Sequence, residues 1–291
     1  MRGAWLARLL PLALAACAAG THSSAPAPAP AAGAQTANAP AAPPPADPVP
    51  PHDSFTVQSK ALDEARPVNV YVPPAYRASP AERLPVLYMP DGGIQEDFPH
   101  VVHTVDSLIG RGAIRPVIVV GIPNTERRRD LTGPTRVAAD SAIAPRVGGS
   151  AAFRRFLRDE LIPAVQARYR TTPERAIIGE SLAGLFIVET VLTEPSLFDH
   201  YVALDPSLWW NDGALVDSAA ARLAALDAAP RTLYLATSNV KDIAAGTERL
   251  ATLLRTSPPA GLTWTYEPRP DLTHATIFRA LKPAALARAL R

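Results

Sequence analysis

The chain reads as an α/β protein: a mostly parallel central sheet with helices on both faces, opened by an antiparallel pair of strands. Three observations predict it. Short apolar runs alternate with stretches of helical periodicity along most of the sequence. Two segments of alternating apolar and polar residues precede them. At one junction an apolar run, a serine among small residues and an apolar helical stretch follow one another without a spacer.

In chain order, Phe55-Thr56-Val57-Gln58 and Val68-Asn69-Val70-Tyr71-Val72 alternate around Asp63-Glu64-Ala65-Arg66, which predicts the antiparallel pair. Buried strands are expected over 84–89, 116–122, 176–178, 201–204, 232–236 and 262–266. Helices are expected over 101–109, over 151–169 with Pro163 inside, over 185–192, and over 214–226, 245–254 and 277–290. In a sheet wound this way, ligands gather at the carboxyl ends of the strands.

With 291 residues, 47% of them apolar, and a net charge of +2, the chain can hold one large domain and offers no basic stripe for a nucleic acid. Its first residues have a different character. Met1, Arg2 and Arg8 flank an apolar run, 9–16, that is too short to span a bilayer and reads as a signal peptide. Leu14-Ala15-Ala16-Cys17 resembles the lipobox of bacterial lipoproteins, which implies a lipidated Cys17 at a mature N-terminus. Ala18 in the next position implies the outer membrane, facing the periplasm. Cys17 is the only cysteine, so no intramolecular disulfide can form. Residues 18–52, rich in Ala and Pro, read as an extended tether, leaving 53–291 as the folded domain.

Candidate chemistry centres on Gly179-Glu180-Ser181-Leu182-Ala183-Gly184, between the run 176–178 and the apolar helix. A serine at a sharp strand-to-helix turn is a nucleophile elbow: the hydroxyl projects outward, and the N–H of the next residue, Leu182, faces what it attacks. Gly179 and Ala183 are the small residues that such a turn requires.

Serine needs a base. Of the six histidines, His22 and His52 lie in or beside the tether, His100 and His103 precede the serine, and His200 follows the elbow helix too closely. His274 sits in the polar loop 270–276, after the last expected strand, and keeps the chain order serine, acid, histidine. The acid should follow the strand 232–236. Asp242 is the nearest carboxylate there, Glu248 and Asp271 are rivals, and a serine–histidine dyad without an acid stays open. Met89-Pro90-Asp91-Gly92-Gly93-Ile94 offers the second oxyanion donor, with Gly93 preferred over Gly92 and Ile94.

These pieces resemble the esterase family of the α/β-hydrolase superfamily, the group of esterase D-like and siderophore trilactone esterases. The motifs that carry the resemblance run from Leu84-Pro85-Val86-Leu87-Tyr88 and Asp91-Gly92-Gly93 through 117–125 and Arg129-Asp130-Leu131-Thr132. The Ser181 elbow, Asp205-Pro206-Ser207-Leu208-Trp209-Trp210 and Thr273-His274-Ala275-Thr276 complete them. The resemblance implies an α/β-hydrolase fold and hydrolysis of a carboxylic ester, with Ser181 as nucleophile, His274 as base and no metal or cofactor. It implies nothing firm about the acid. Two residues depart from the pattern: Glu180 where many relatives carry histidine, and Asp205 where relatives often have serine. Glu180 adds a carboxylate that could partner His274 or alter its pKa. Arg128 and Arg129 read as a solvated charge run, with an anionic substrate as the sharper alternative. The resulting expectation is an exported, lipid-anchored serine esterase of a small-molecule substrate, more narrowly of a siderophore trilactone. An acyltransferase using the same residues and a non-catalytic binding lipoprotein are the alternatives.

Overall fold

The computed structural model of the chain describes residues 47–291. The signal segment, Cys17 and most of the tether lie outside the described residues.

Eight strands, β1 (Asp53–Ser59), β2 (Glu64–Tyr71), β3 (Leu84–Pro90), β4 (Ile118–Ile122), β5 (Thr171–Glu180), β6 (His200–Leu204), β7 (Arg231–Thr237) and β8 (Leu262–Pro268), form one sheet in the order β1-β2-β4-β3-β5-β6-β7-β8. β2 runs antiparallel to β1 and β4, and all other pairs are parallel. The antiparallel opening and parallel remainder match the sequence expectation.

The helices are α1 (Pro74–Ala78), α2 (Phe98–Gly110), α3 (Arg127–Leu131), α4 (Ala138–Ala142), α5 (Ser150–Phe156), α6 (Ile162–Arg168), α7 (Leu182–Thr193), α8 (Ala214–Asp217), α9 (Ala219–Ala224), α10 (Lys241–Thr256) and α11 (His274–Ala289). α2 and α11 cover one face of the sheet, while α5, α6, α7, α9 and α10 cover the other. Along β3, Val86 and Tyr88 enter one core and Leu87 and Met89 the other. Burial on both faces explains why the strand sequence is an unbroken apolar run.

α7 is apolar on every side because it lies inside the larger core: Phe186, Ile187 and Val188 are fully buried. Truncating such a side chain to alanine costs about 2–5 kcal/mol. The expected helix over 151–169 is interrupted by a π-helical turn, Leu157–Leu161. Pro163 is the physical reason, since it lacks an N–H and its ring clashes with the carbonyl one turn earlier; the wider turn relieves that clash.

The domain begins earlier than residue 53. Asp47 bonds Arg279, His103 Nε2 lies 2.8 Å from the Pro48 carbonyl, and His52 packs edge-on against Phe98. The last residues of the expected tether therefore belong to the folded surface. Among the described residues, no helix is long and apolar enough to cross a membrane.

Candidate active site

β5 and α7 meet at Ser181, whose φ of 60° and ψ of −118° put it in a backbone region that L-residues rarely occupy. Strand and helix touch there: a Cβ on Gly179 would lie 2.6 Å from the Ala183 Cβ, and one on Gly184 would lie 3.0 Å from Pro206 Cα. Ala183 is accommodated because Gly179 opposite it has no side chain. The turn is held by Ser181 N–H donating to Leu204 O at 3.1 Å and Ser207 N–H donating to Ser181 O at 3.0 Å.

His274, the first residue of α11, approaches with Nε2 3.2 Å from Ser181 Oγ. Its position is fixed by a capping box in which Thr273 and Thr276 exchange side-chain and backbone hydrogen bonds across the helix start. Ser207 Oγ lies 3.4 Å from Ser181 Oγ. His274 Nδ1 is 2.6 Å from Asp205 Oδ2. With a carboxylate accepting at Nδ1, the neutral ring keeps its proton there and offers the Nε2 lone pair to the serine hydroxyl.

The acid on His274 is thus Asp205, not Asp242. Asp205 follows β6 with φ of 46° and is fully buried. Ser238 donates to it twice, from its N–H to Oδ1 and from its hydroxyl to Oδ2, each at 2.7 Å. Burial alone would push the Asp205 carboxyl up, but the hydrogen bonds from His274 and Ser238 outweigh it and hold the group below the usual carboxylate range. Asp242 is exposed in the first turn of α10, with no ion pair or side-chain hydrogen bond among the described residues. Glu248 pairs with Arg255 and Asp271 with Arg269, both at the surface. Ser238 occupies the slot after β7 in which an acid was expected, and the acid enters from the adjacent strand, where Leu204 is in register with Ala236. The available signal was an aspartate immediately after an apolar strand, in a backbone conformation that its short polar side chain tolerates.

The Leu182 N–H is the first of α7 and has no backbone acceptor among the described residues. Gly93 differs from expectation: its N–H donates to Glu96 Oε2 at 2.7 Å. The loop folds back on itself through Glu96 N–H to Gly93 O and Asp97 N–H to Asp91 O, which brings the Glu96 carboxylate over the Gly93 amide. The Gly92 N–H donates to Ile122 O, and a Cβ on Gly92 would lie 2.1 Å from the Ile122 nitrogen. That glycine therefore serves the contact with β4. Of the three loop amides, only that of Ile94 has no acceptor among the described residues.

Glu180 is the second carboxyl beside the base. Its Oε1 is buried without a partner, and burial pushes the group up to about 8, with Asp97, Asp205 and Asp91 reinforcing the shift against His274. His274 itself is raised, first by its hydrogen bond to Asp205 and further by Glu180, against burial and Arg127. Glu180, Asp205 and His274 offer donor atoms within 4.8 Å of one another, the spacing of a metal triad. Both Asp205 oxygens are already committed to Ser238 and His274, so the carboxylate serves to orient the imidazole and stabilise its charged form.

Among the other described histidines, His100 bonds Asp97, and His200 bonds Thr232 and Glu174. Trp210 is buried, with Nε1 donating to Gly133 O, while Trp209 is 39% exposed.

A cleft of about 470 Å³ is lined by Arg127, Arg128, Arg129 and Arg146 together with Glu126, which pairs with Arg146. Arg127 links it to the site by gripping Asp91 at 2.6 and 2.9 Å. Arg129 is buried rather than solvated, tied to Glu64 and Asp130. Arg128 has no carboxylate partner among the described residues and donates to Ile143 O.

A family model described as "Putative esterase" matches residues 59–244, which include the Ser181 elbow and Asp205. The chain belongs to this esterase family. It is 28% identical over 163 residues to the ferri-bacillibactin esterase BesA of Bacillus subtilis, covering 51% of this chain and 56% of that protein. It is 36% identical over 115 residues to the siderophore triacetylfusarinine C esterase of Aspergillus fumigatus, covering 36% and 37%. The matched stretches thus span little more than half of the first curated relative and just over a third of the second. Among solved structures, an IroE-like serine hydrolase from Shewanella oneidensis superposes with a TM-score of 0.74 at 27% identity, covering 82% of this chain and 79% of that one.

Proposed function

We propose that the protein is a serine esterase that works through an acyl-enzyme. The observation that carries this reading is the relay Ser181 Oγ, His274 Nε2, His274 Nδ1, Asp205 Oδ2, at 3.2 and 2.6 Å, on an elbow whose next N–H is free. Ser181 Oγ attacks the ester carbonyl while His274 takes its proton, and Asp205 stays ionised to stabilise the imidazolium. The Leu182 N–H, with Ile94 as second donor, meets the tetrahedral oxyanion; a donor of this kind contributes about 10²–10³-fold in kcat. The leaving alcohol takes the proton from His274, and water, activated by the same nitrogen, then cleaves the acyl-enzyme.

A fluorophosphonate probe should label wild type at Ser181 and leave Ser181→Ala and His274→Ala unlabelled. Labelling that survives Ser181→Ala would overturn the assignment.

The substrate class we infer is the siderophore-type ester. Two curated relatives are named as a ferri-bacillibactin esterase and a siderophore triacetylfusarinine C esterase, and Arg128, the one arginine of the cleft without a carboxylate partner among the described residues, is available to an anionic group. Purified protein is expected to cleave a tris-catecholate trilactone with higher kcat/KM than a short p-nitrophenyl ester. Cleavage of the activated ester with both apo and ferric trilactones intact would remove the siderophore reading and leave the esterase reading standing.

We also infer export and lipid anchoring through Cys17, with residues 18–46 as tether. Fatty-acid incorporation into wild type, absent in Cys17→Ser, tests it.

A further inference from the structure

On the face of the sheet covered by α2 and α11, the two helices leave between them a pocket of about 290 Å³. Its charged lining is basic apart from Asp47: His100 and His103 come from α2, Arg111 caps the end of that helix, and Arg279 and Lys282 come from α11. None of these residues takes part in the serine relay. Two of them are more than nine-tenths buried and incompletely partnered. Lys282 is 5% exposed and has no hydrogen bond or ion pair among the described residues. His100 is 4% exposed; Nε2 lies 2.8 Å from Asp97 Oδ1, and its buried Nδ1 has no partner.

An ammonium held in a protein wall without a direct hydrogen-bond or ion-pair partner is unfavourable. Burial and the neighbouring Arg279 charge push Lys282 down to about 8, against the opposing influence of Asp47 and Asp97, so it is largely protonated at neutral pH. The chain supplies one anion of its own: Asp47 meets the Arg279 guanidinium with Oδ1 at 3.3 Å and Oδ2 at 2.5 Å. That hydrogen bond holds the Asp47 carboxyl below its ordinary range. A two-oxygen carboxylate matched to one guanidinium satisfies Arg279 alone. Lys282 and the carboxylate-free Arg111 remain, and a group with more acceptor oxygens would answer both together with Arg279.

We propose that this pocket binds a phosphate group, carried either by inorganic phosphate or by the headgroup of an anionic phospholipid. The test uses the full chain in unlipidated form. Calorimetric titration with inorganic phosphate, at ionic strength held constant with chloride, should give one-site binding that Lys282→Met weakens about tenfold or more. Asp47→Asn, which removes the competing carboxylate, should tighten it several-fold and keeps the test decisive if Lys282→Met does not fold. Ester turnover should be unchanged in both variants.

The second arm is co-sedimentation with vesicles. Binding to phosphatidylglycerol but not phosphatidylcholine vesicles, lost in Lys282→Met, identifies the lipid headgroup as ligand. Phosphate binding without vesicle binding identifies the free anion. No binding in either arm, or binding that neither substitution alters, overturns the proposal.

Discussion

The carboxyl ends of β6 and β7 are neighbours in the sheet, and an aspartate follows each, Asp205 and Asp242. Only Asp205 reaches the base. It is fully buried and receives two hydrogen bonds from Ser238, which itself stands at the end of β7. Asp242 stands one turn further on, in solvent, at the start of α10. A carboxylate orients an imidazole when its surroundings pin its rotamer and keep it ionised, and β7 contributes to this site by supplying the donors.

Breaking the β6 side should have the larger effect. Asp205→Asn keeps the shape but reverses the hydrogen bond at Nδ1, which favours the tautomer with the proton on Nε2. Activity should fall about 10³–10⁴-fold in kcat near pH 7. A loss of less than tenfold would reduce the relay to a serine–histidine dyad. Ser238→Ala tests the support from β7: it removes the hydroxyl donor at 2.7 Å and leaves the backbone donor in place. One charge-assisted hydrogen bond is worth about 1.5–3 kcal/mol, and with part of that reaching the transition state, kcat/KM should drop about tenfold.

Glu180 sharpens the comparison because it is the carboxyl at this end of the sheet whose surroundings favour its neutral form. It is raised to about 8 by burial, whereas Asp205 is lowered by its donors. Below pH 8 Glu180 keeps its proton, and its titration is coupled to that of His274. Wild type should therefore show an inflection in kcat/KM near pH 8 in addition to the His274 limb. In Glu180→Gln that inflection should vanish. The plateau should change only a few-fold.

The sign for stability follows from the same shift. A folded carboxyl at about 8 holds a proton that the unfolded chain has already lost, so this group makes stability fall as pH rises from the unfolded value toward 8. Glu180→Gln should lack that fall, read as a higher Tm than wild type at pH 9. Superimposable pH profiles would make Glu180 a bystander.

What could be read in the sequence divides along the same line. The eight strands, Ser181 and His274 were legible because local signals specify them: apolar runs, small residues around a turn, a loop histidine in the right chain order. The acid was not, because it is defined by a contact between residues 69 positions apart and by donors on a third segment. Gly93 was misread for a related reason. Its backbone freedom is visible in the sequence, whereas the return of Glu96 onto its N–H depends on how the loop closes. The short helices α3 and α4 lay hidden in the polar segment 124–149, because Arg129 is buried by partners on another strand and helix turn rather than by an apolar face.

The smallest effect belongs to Asp242, and it should appear in the opposite observable from that of Asp205. Among the described residues its carboxylate has no partner, so Asp242→Asn should leave kcat/KM within about twofold of wild type. It does sit in the first turn of the 16-residue helix α10, where a negative charge faces unpaired N–H groups. Removing that charge should cost about 0.3–1 kcal/mol, measured as a slight loss in urea or thermal unfolding that added salt shrinks. Asp205→Asn should show the reverse pattern, a large kinetic loss that salt does not restore, because what it loses is the hydrogen bond at Nδ1 that sets the tautomer of His274. If Asp242→Asn instead cost 10²-fold in kcat with stability unchanged, the β7 aspartate would have to reach His274 during turnover, and the division of roles between the two strand ends would fail.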